Sequence, residues 1–152
     1  MRHAGTLIGL LCVVAVAGCA PAPPTQEAAD SARSMARADA ENLRYWVEHD
    51  GKGVSGQELL DHLLAVVAEP NRAFLLDQAF GADGSATVTV YYDATATAGG
   101  GLFTADAGAR LCVDLTAVPG DPGTVTVEDA PCAGEALPRL PDGSREVTLD
   151  GG

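Results

Sequence analysis

The sequence is poor in basic residues. Its 152 residues include only 9 lysines and arginines, with Lys52 the single lysine, against 21 aspartates and glutamates, so the formal net charge at pH 7 is −12. A surface of this sign repels the phosphate backbone of nucleic acids and the head groups of anionic lipids. The composition therefore predicts no nucleic-acid partner and no membrane attachment through a basic patch.

Large apolar side chains are also scarce. Aromatic residues make up 5% of the chain, although hydrophobic residues together make up 47%, and much of that share is alanine. With 20% charged residues, the composition is that of a folded chain and not of a disordered one. We therefore expect one modest domain with a thin core, in which a covalent cross-link contributes a large part of the stability.

Signature motifs of metal sites, phosphate-binding loops and hydrolases are missing. The chain has no H-E-x-x-H, no D-x-D-x-D-G and no C-x-x-C spacing. The stretch 51–56 departs from a nucleophile elbow and from a P-loop at Gln57, where the first motif requires glycine and the second requires lysine. His49 and His62 each lie beside an acidic residue at the polar edge of a helix, as solvated histidines do. We therefore predict no metal site and no cofactor.

No apolar run is long enough to span a bilayer, but the N-terminus carries a shorter one. Arg2 precedes the apolar stretch 6–17, which has the length of the hydrophobic region of a signal peptide. The sequence Val16-Ala17-Gly18-Cys19 follows, with an aliphatic residue, two small residues and a cysteine. This N-terminus resembles the type II signal peptide of bacterial lipoproteins, in which these four residues form the lipobox.

The resemblance implies that residues 1–18 are removed and that Cys19 carries a diacylglycerol with fatty acyl chains such as palmitate. The mature protein is then held at the extracytoplasmic face of the cell membrane by its lipid. Since Arg2 is the only charged residue in 1–18, the mature chain is one charge more negative than the precursor. The segments 109–113 and 126–132 are also similar to small uncharacterised lipoproteins of high-GC bacteria, which brings no activity with it.

The four cysteines divide into two groups under this interpretation. Cys12 is removed with the signal peptide and Cys19 receives the lipid, which leaves Cys112 and Cys132. An even pair in an oxidising compartment favours a disulfide, whereas a redox or metal-binding pair is the less favoured alternative. A bond that closes a loop of about 20 residues contributes about 3 kcal/mol.

The remaining chain divides into a lipidated proline-rich tether (19–26), a domain (27–132) and a mostly irregular tail (133–152), within which 145–149 suits a short edge strand. Apolar residues at helical spacing predict a first helix that ends near Asp50, namely Ala32, Ala36, Ala40, Leu43 and Val47. The sequence Ser55-Gly56-Gln57-Glu58 is typical of a capping box and predicts the start of a second helix that ends before Pro70. The short glycine-rich connection suggests that the two helices form an αα-hairpin.

The second half of the domain has the composition of β-strands. Strands are predicted at 73–80, 86–97, 110–116 and 124–128, and the triple glycine 99–101 is predicted to be a loose connection. Tyr91 and Tyr92 point to opposite faces of a strand, so we expect one of the two rings to be exposed. The predicted fold class is α+β, with two N-terminal helices packed on an antiparallel sheet of about four strands.

Two classes of function remain open after these exclusions. The lipobox, the tether and the lack of a nucleophile–base arrangement favour a membrane-anchored, non-catalytic binding or accessory domain. Its partners are the membrane, through the lipid, and a protein or cell-envelope ligand that the sequence does not identify. The alternative is a small secreted hydrolase that uses carboxylates of the sheet or of the helix hairpin.

Overall fold

Two helices precede a sheet of five strands, which confirms the predicted α+β class. The computed structural model describes residues 22–68, 73–100, 103–120, 123–133, 137–140 and 142–151; the predicted signal peptide (1–18) and Cys19 lie outside these residues. The elements are α1 (Pro24–His49), α2 (Gln57–Val67), β1 (Phe74–Phe80), β2 (Ala86–Gly100), β3 (Phe103–Val118), β4 (Thr124–Asp129) and β5 (Arg145–Val147). None of the described helices is both long and apolar enough to cross a membrane.

The sheet is built around the long antiparallel pair β2 and β3. Its order is β1-β2-β3-β4, and β2 pairs with β3 from Ala86↔Ala117 to Gly100↔Phe103. The prediction of a loose connection was therefore wrong at Gly99 and Gly100, which still belong to β2, and Gly101 lies outside the described residues. Their backbone groups pair with Thr104 and Phe103, and this cross-strand pairing outweighs the low strand propensity of glycine.

The short last strand shares an edge of β3 with β4. β4 pairs antiparallel with residues 113–118 of β3, whereas β5 pairs parallel with residues 109–111. Three contacts hold the residues after β5. Arg33 Nε donates to the carbonyl of Thr148 at 2.8 Å, Arg37 donates to that of Leu149 at 3.2 Å, and the Leu149 amide donates to Asp129 at 2.8 Å. The end of the predicted irregular tail is thus bound to the first helix and to the sheet.

One face of the sheet packs against the helices and forms the core. The alternating pattern of β2 and β3 places Val88, Val90, Tyr92, Leu111, Val113 and Leu115 on this face, all of them fully buried. The predicted apolar stripe of α1 is buried against them. The N-terminal half of the helix contributes four buried alanines and the partly buried Met35 to this core, which also contains Ala94, Ala96 and Ala109 of the sheet, so the core is thin in large side chains there, as the composition predicted.

The predicted capping box at the start of α2 is wrong. The N-cap residue is Gly56, with φ 61°, and no side chain caps the helix. The Gly56 amide donates to the carbonyl of Gly84 at 3.0 Å, in the turn between β1 and β2. This tertiary contact fixes a left-handed backbone that glycine adopts without strain, and it replaces the local capping that the sequence pattern favours. The two helices pack mainly on the sheet and less on each other.

The first helix begins within the predicted tether. Pro24 is its first residue, so residues 24–26 are helical, and the extended part ends at Pro23. Proline is well suited to the first helical position because its fixed φ fits the helix and its missing N–H is not needed there. Pro23 itself has φ −58° and ψ 144°, which is the polyproline II geometry predicted for the tether.

Candidate functional site

The two histidines among the described residues, His49 and His62, stack on aromatic rings. His49 stacks on Tyr45 with ring centroids 4.3 Å apart, and its Nδ1 lies 2.8 Å from the Tyr45 carbonyl. His62 stacks on Trp46 with centroids 3.6 Å apart. No group of three or more metal-ligating side chains occurs among the described residues. Both rings are placed by packing on α1, which is a structural role.

Burial lowers the pKa of His62 below its usual 6.5, and the nearby carboxylate of Asp50 opposes this only partly. The folded state therefore favours the neutral ring. Because the unfolded chain binds the proton more readily, the free energy of unfolding falls as the pH drops below about 6.5.

We expect His62→Gln to reduce the fall in melting temperature between about pH 7.5 and pH 5. A melting series at several pH values measures it, with the exposed His49→Gln as the control. An unchanged pH dependence in His62→Gln would contradict the prediction.

The outer face of the sheet carries hydroxyl and carboxylate side chains in cross-strand pairs. Thr89 donates to Asp114 at 2.6 Å, Thr97 donates to Asp106 at 2.7 Å, and the hydroxyls of Thr87 and Thr116 lie 2.8 Å apart. Such pairs are a usual means of stabilising neighbouring strands. Asp106 and Asp114 are therefore engaged with side chains of the neighbouring strand.

Two open depressions on this face contain pairs of carboxylates. One of about 380 Å³ is lined by Asp77, Thr89 and Asp114, and the other of about 320 Å³ by Thr97, Asp106 and Asp142. Asp77 accepts a hydrogen bond from the amide of Gln78 at 2.8 Å. A glycosidase-type pair needs one acid that burial keeps protonated. These carboxylates lie in open depressions, and Asp77, Asp106 and Asp114 each accept a local hydrogen bond, so the geometry does not favour hydrolysis.

A second, smaller cluster is buried on the outer face around Tyr91. Its ring stacks on Phe74 with centroids 4.8 Å apart, and the guanidinium of Arg110 lies 4.6 Å from its centroid. Arg110 is held by both oxygens of Asp93, at 2.7 and 2.6 Å, and donates to the Pro138 carbonyl at 2.9 Å. The prediction that one of the two tyrosines is exposed was wrong, because Tyr91 is 6% and Tyr92 0% exposed.

The electrostatics of this cluster follow from its burial and from its ion pair. Desolvation raises the pKa of the Tyr91 phenol, and the charge of Asp93 raises it further. Hydrogen bonding to Asp93 raises the pKa of Arg110, so the guanidinium stays charged at any physiological pH. The cluster therefore offers neither a general base nor a nucleophile, and it holds the segment 137–140 to the sheet.

The two remaining cysteines meet beside this cluster. Cys112 is the cross-strand neighbour of Tyr91, and its sulfur bonds to that of Cys132, with the Cα atoms 5.3 Å apart. This separation lies within the limit of about 7 Å for a disulfide. The residue after β4 also returns to the sheet, because the Ala130 amide donates to the Cys112 carbonyl at 3.0 Å. The pair thus fastens the exit of β4 to β3, as the sequence predicted.

A carboxylate buried between α1 and the sheet was missed by the sequence reasoning. Asp39 is fully buried, and its Oδ2 accepts a hydrogen bond from the Tyr92 hydroxyl at 2.9 Å. The signal was present in the helical periodicity, since Asp39 lies between Ala36 and Ala40 on the apolar stripe. A polar residue at such a position requires a buried partner, and the inward-pointing tyrosine of β2 provides one.

Three of the four exposed large apolar side chains in the described part of the chain lie in β1, at the edge of the sheet, and the fourth is Tyr45 of α1. In β1, Phe74 is 49%, Leu75 47% and Phe80 53% exposed; we call these three residues the β1 apolar edge. A β-bulge between Leu75 and Asp77 interrupts the regular pairing of the strand with β2. Bulges and charged residues limit the pairing of an edge strand with other strands, so this edge is suited to contacts through its side chains.

No protein-family model, no curated protein and no solved structure matches this chain.

Proposed function

We propose that the protein is a membrane-anchored extracytoplasmic lipoprotein whose domain binds a partner without catalysing a reaction. The observation that carries the proposal is the lipobox Val16–Cys19 behind a short apolar run. The fold is consistent with this, because α1 starts at Pro24 and so begins only a few residues after the proposed lipid attachment site.

The described domain supports a binding role more than a catalytic one. Its carboxylates on the outer face accept hydrogen bonds from neighbouring strands, and its histidines stack on aromatic rings. The β1 apolar edge leaves three large side chains about half exposed, and exposed apolar patches commonly mark interaction sites. We propose a protein or cell-envelope ligand as the partner. A small hydrolase is the alternative proposal from the sequence, but none of these contacts favours it.

Replacement of the lipid acceptor tests the proposed anchor. We expect Cys19→Ala to accumulate as an unprocessed precursor without lipid, because attachment of diacylglycerol to the thiol precedes cleavage of the signal peptide. Metabolic labelling with a radioactive fatty acid, followed by gel electrophoresis, measures both lipidation and size. Cys12→Ala is the matched control and should be labelled like the wild type. Fatty-acid labelling of Cys19→Ala would show that the lipobox interpretation is wrong.

A further inference from the structure

The direction of α1 across the sheet determines which end of the domain carries the N-terminus. In the middle of the helix, Asp39 is bonded to Tyr92, near the middle of β2. Towards the C-terminal end, Val47 lies against Gly123, where β3 has ended and β4 is about to start. The N-terminal half of α1 therefore lies over the opposite end of the sheet, where β2 ends and β3 begins.

The lengths of the elements bring the start of α1 level with that end of the sheet. From Asp39 back to Pro24 the helix extends about 22 Å at 1.5 Å per residue. From Tyr92 to Gly100 strand β2 extends about 26 Å at 3.3 Å per residue. We call this the anchor-proximal end, defined by Pro24, Gly100 and Phe103. The distal end is defined by Gly56, the turn 81–85 and Pro119.

The tether is short compared with the domain. Residues 20–23 are the only ones between Cys19 and the start of α1, and four residues span at most about 14 Å. Strand β2 alone is about 46 Å long from Ala86 to Gly100. With Cys19 in the bilayer, the anchor-proximal end stays near the lipid, and the distal end reaches the membrane only if the domain lies flat.

The charge of the domain opposes a flat orientation. The exposed side of α1 carries Glu27, Asp30, Glu41 and Glu48. The same helix carries Arg33, Arg37 and Arg44, so α1 alone is only weakly negative. The outer face of the sheet carries the acidic residues Asp77, Asp106 and Glu128, and the chain as a whole has a net charge of −12. Anionic head groups therefore repel a domain that lies flat at distances below the Debye length of about 8 Å, most strongly where its outer face approaches them.

We infer that the lipidated domain stands end-on, with its anchor-proximal end against the phospholipid head groups and its distal end facing away. This inference rests on the proposed lipid at Cys19. The bilayer is the partner of the anchor-proximal end, and the distal end is the surface presented to a partner in the cell envelope.

Energy transfer to the membrane surface tests this orientation. Thr104→Cys and Ala82→Cys each add one free thiol at an exposed position, near the anchor-proximal end and in the distal turn respectively. Each lipidated full-length variant is labelled with the same donor dye. It is then reconstituted into phosphatidylcholine–phosphatidylglycerol vesicles that contain a head-group acceptor dye. We expect transfer from position 104 to be several-fold more efficient than from position 82.

Equal transfer from the two positions, or the reverse order, would overturn the end-on orientation. A long Gly-Ser insertion between Pro23 and Pro24 should reduce the difference, and a difference that persisted would contradict the role assigned to the short tether. Flotation of the same samples separates the two proposals. A protein that does not float with the vesicles contradicts the anchor at Cys19, whereas a protein that floats with equal transfer contradicts only the orientation.

Discussion

Replacing Cys112 and Cys132 together by alanine is expected to lower the free energy of unfolding by about 2–4 kcal/mol. The bond closes the loop that contains β4, with 20 residues of separation, and without it the unfolded chain gains conformational freedom. The bond also holds Cys132 next to Cys112, the cross-strand neighbour of Tyr91, so its loss loosens the segment after β4 on the outer face of the sheet. For a domain of this size the melting temperature should fall by roughly 10 °C.

The single variants provide the control for this prediction. Cys112→Ala and Cys132→Ala remove the same bond, so the cost of the double variant should lie well below the sum of the two single costs. Titration of free thiols on the folded wild type, without reductant, should detect none at these positions. Two reactive thiols would show that the pair is not bonded in the mature protein.

Replacing Tyr92 by phenylalanine is expected to cost about 1–3 kcal/mol, the range for leaving a buried polar group without a hydrogen-bond partner. The hydroxyl donates to Asp39 Oδ2 at 2.9 Å, and both residues are fully buried. The substitution keeps the ring and removes only this donor, so the carboxyl group of Asp39 is left in the core with less compensation for its desolvation. Chemical denaturation of the two proteins at the same pH measures the difference.

The preceding residue offers a matched control. Tyr91→Phe also removes one phenolic hydroxyl from β2, but that hydroxyl makes no hydrogen bond within the described part of the chain. The Tyr91 ring is held instead by its contacts with Phe74 and Arg110, which the substitution keeps. Its cost should stay well below that of Tyr92→Phe. Equal costs would mean that the hydrogen bond between the helix and the sheet contributes nothing specific to stability.

Sequence reasoning located the elements wherever residues nearby in the chain determine the local structure. The helical stripe from Ala32 to Val47, the glycines that follow Asp50 and the alternation Val88, Val90, Tyr92 all depend on such neighbours, and the structure agrees with them. The pairing of Cys112 with Cys132 was also predictable, because the hairpin between them returns the chain to the same place.

Most of the predictions that were wrong involve partners distant in the chain. The start of α2 contacts Gly84 and is not capped by Ser55. The strand at Gly99 and Gly100 is the exception, because its partners Thr104 and Phe103 are close in the chain and extend the long pairing of β2 with β3. The burial of Tyr91 depends on Phe74 from β1 and on Arg110 from β3. Asp39 was missed for the same reason, since its partner lies 53 residues away. A local pattern does not contain these contacts.

The contacts of Arg33 and Arg37 have a consequence for the order in which the chain folds. They join α1 to carbonyls 115 and 112 residues further along the chain, so the native structure is incomplete until residue 149 has emerged. Contacts of such long sequence separation form late and slow the folding of a chain. During synthesis from the N-terminus, α1 is therefore complete long before the residues that accept its arginine hydrogen bonds have been made. Folding is completed when β5 reaches β3 and the two ends of the domain are joined.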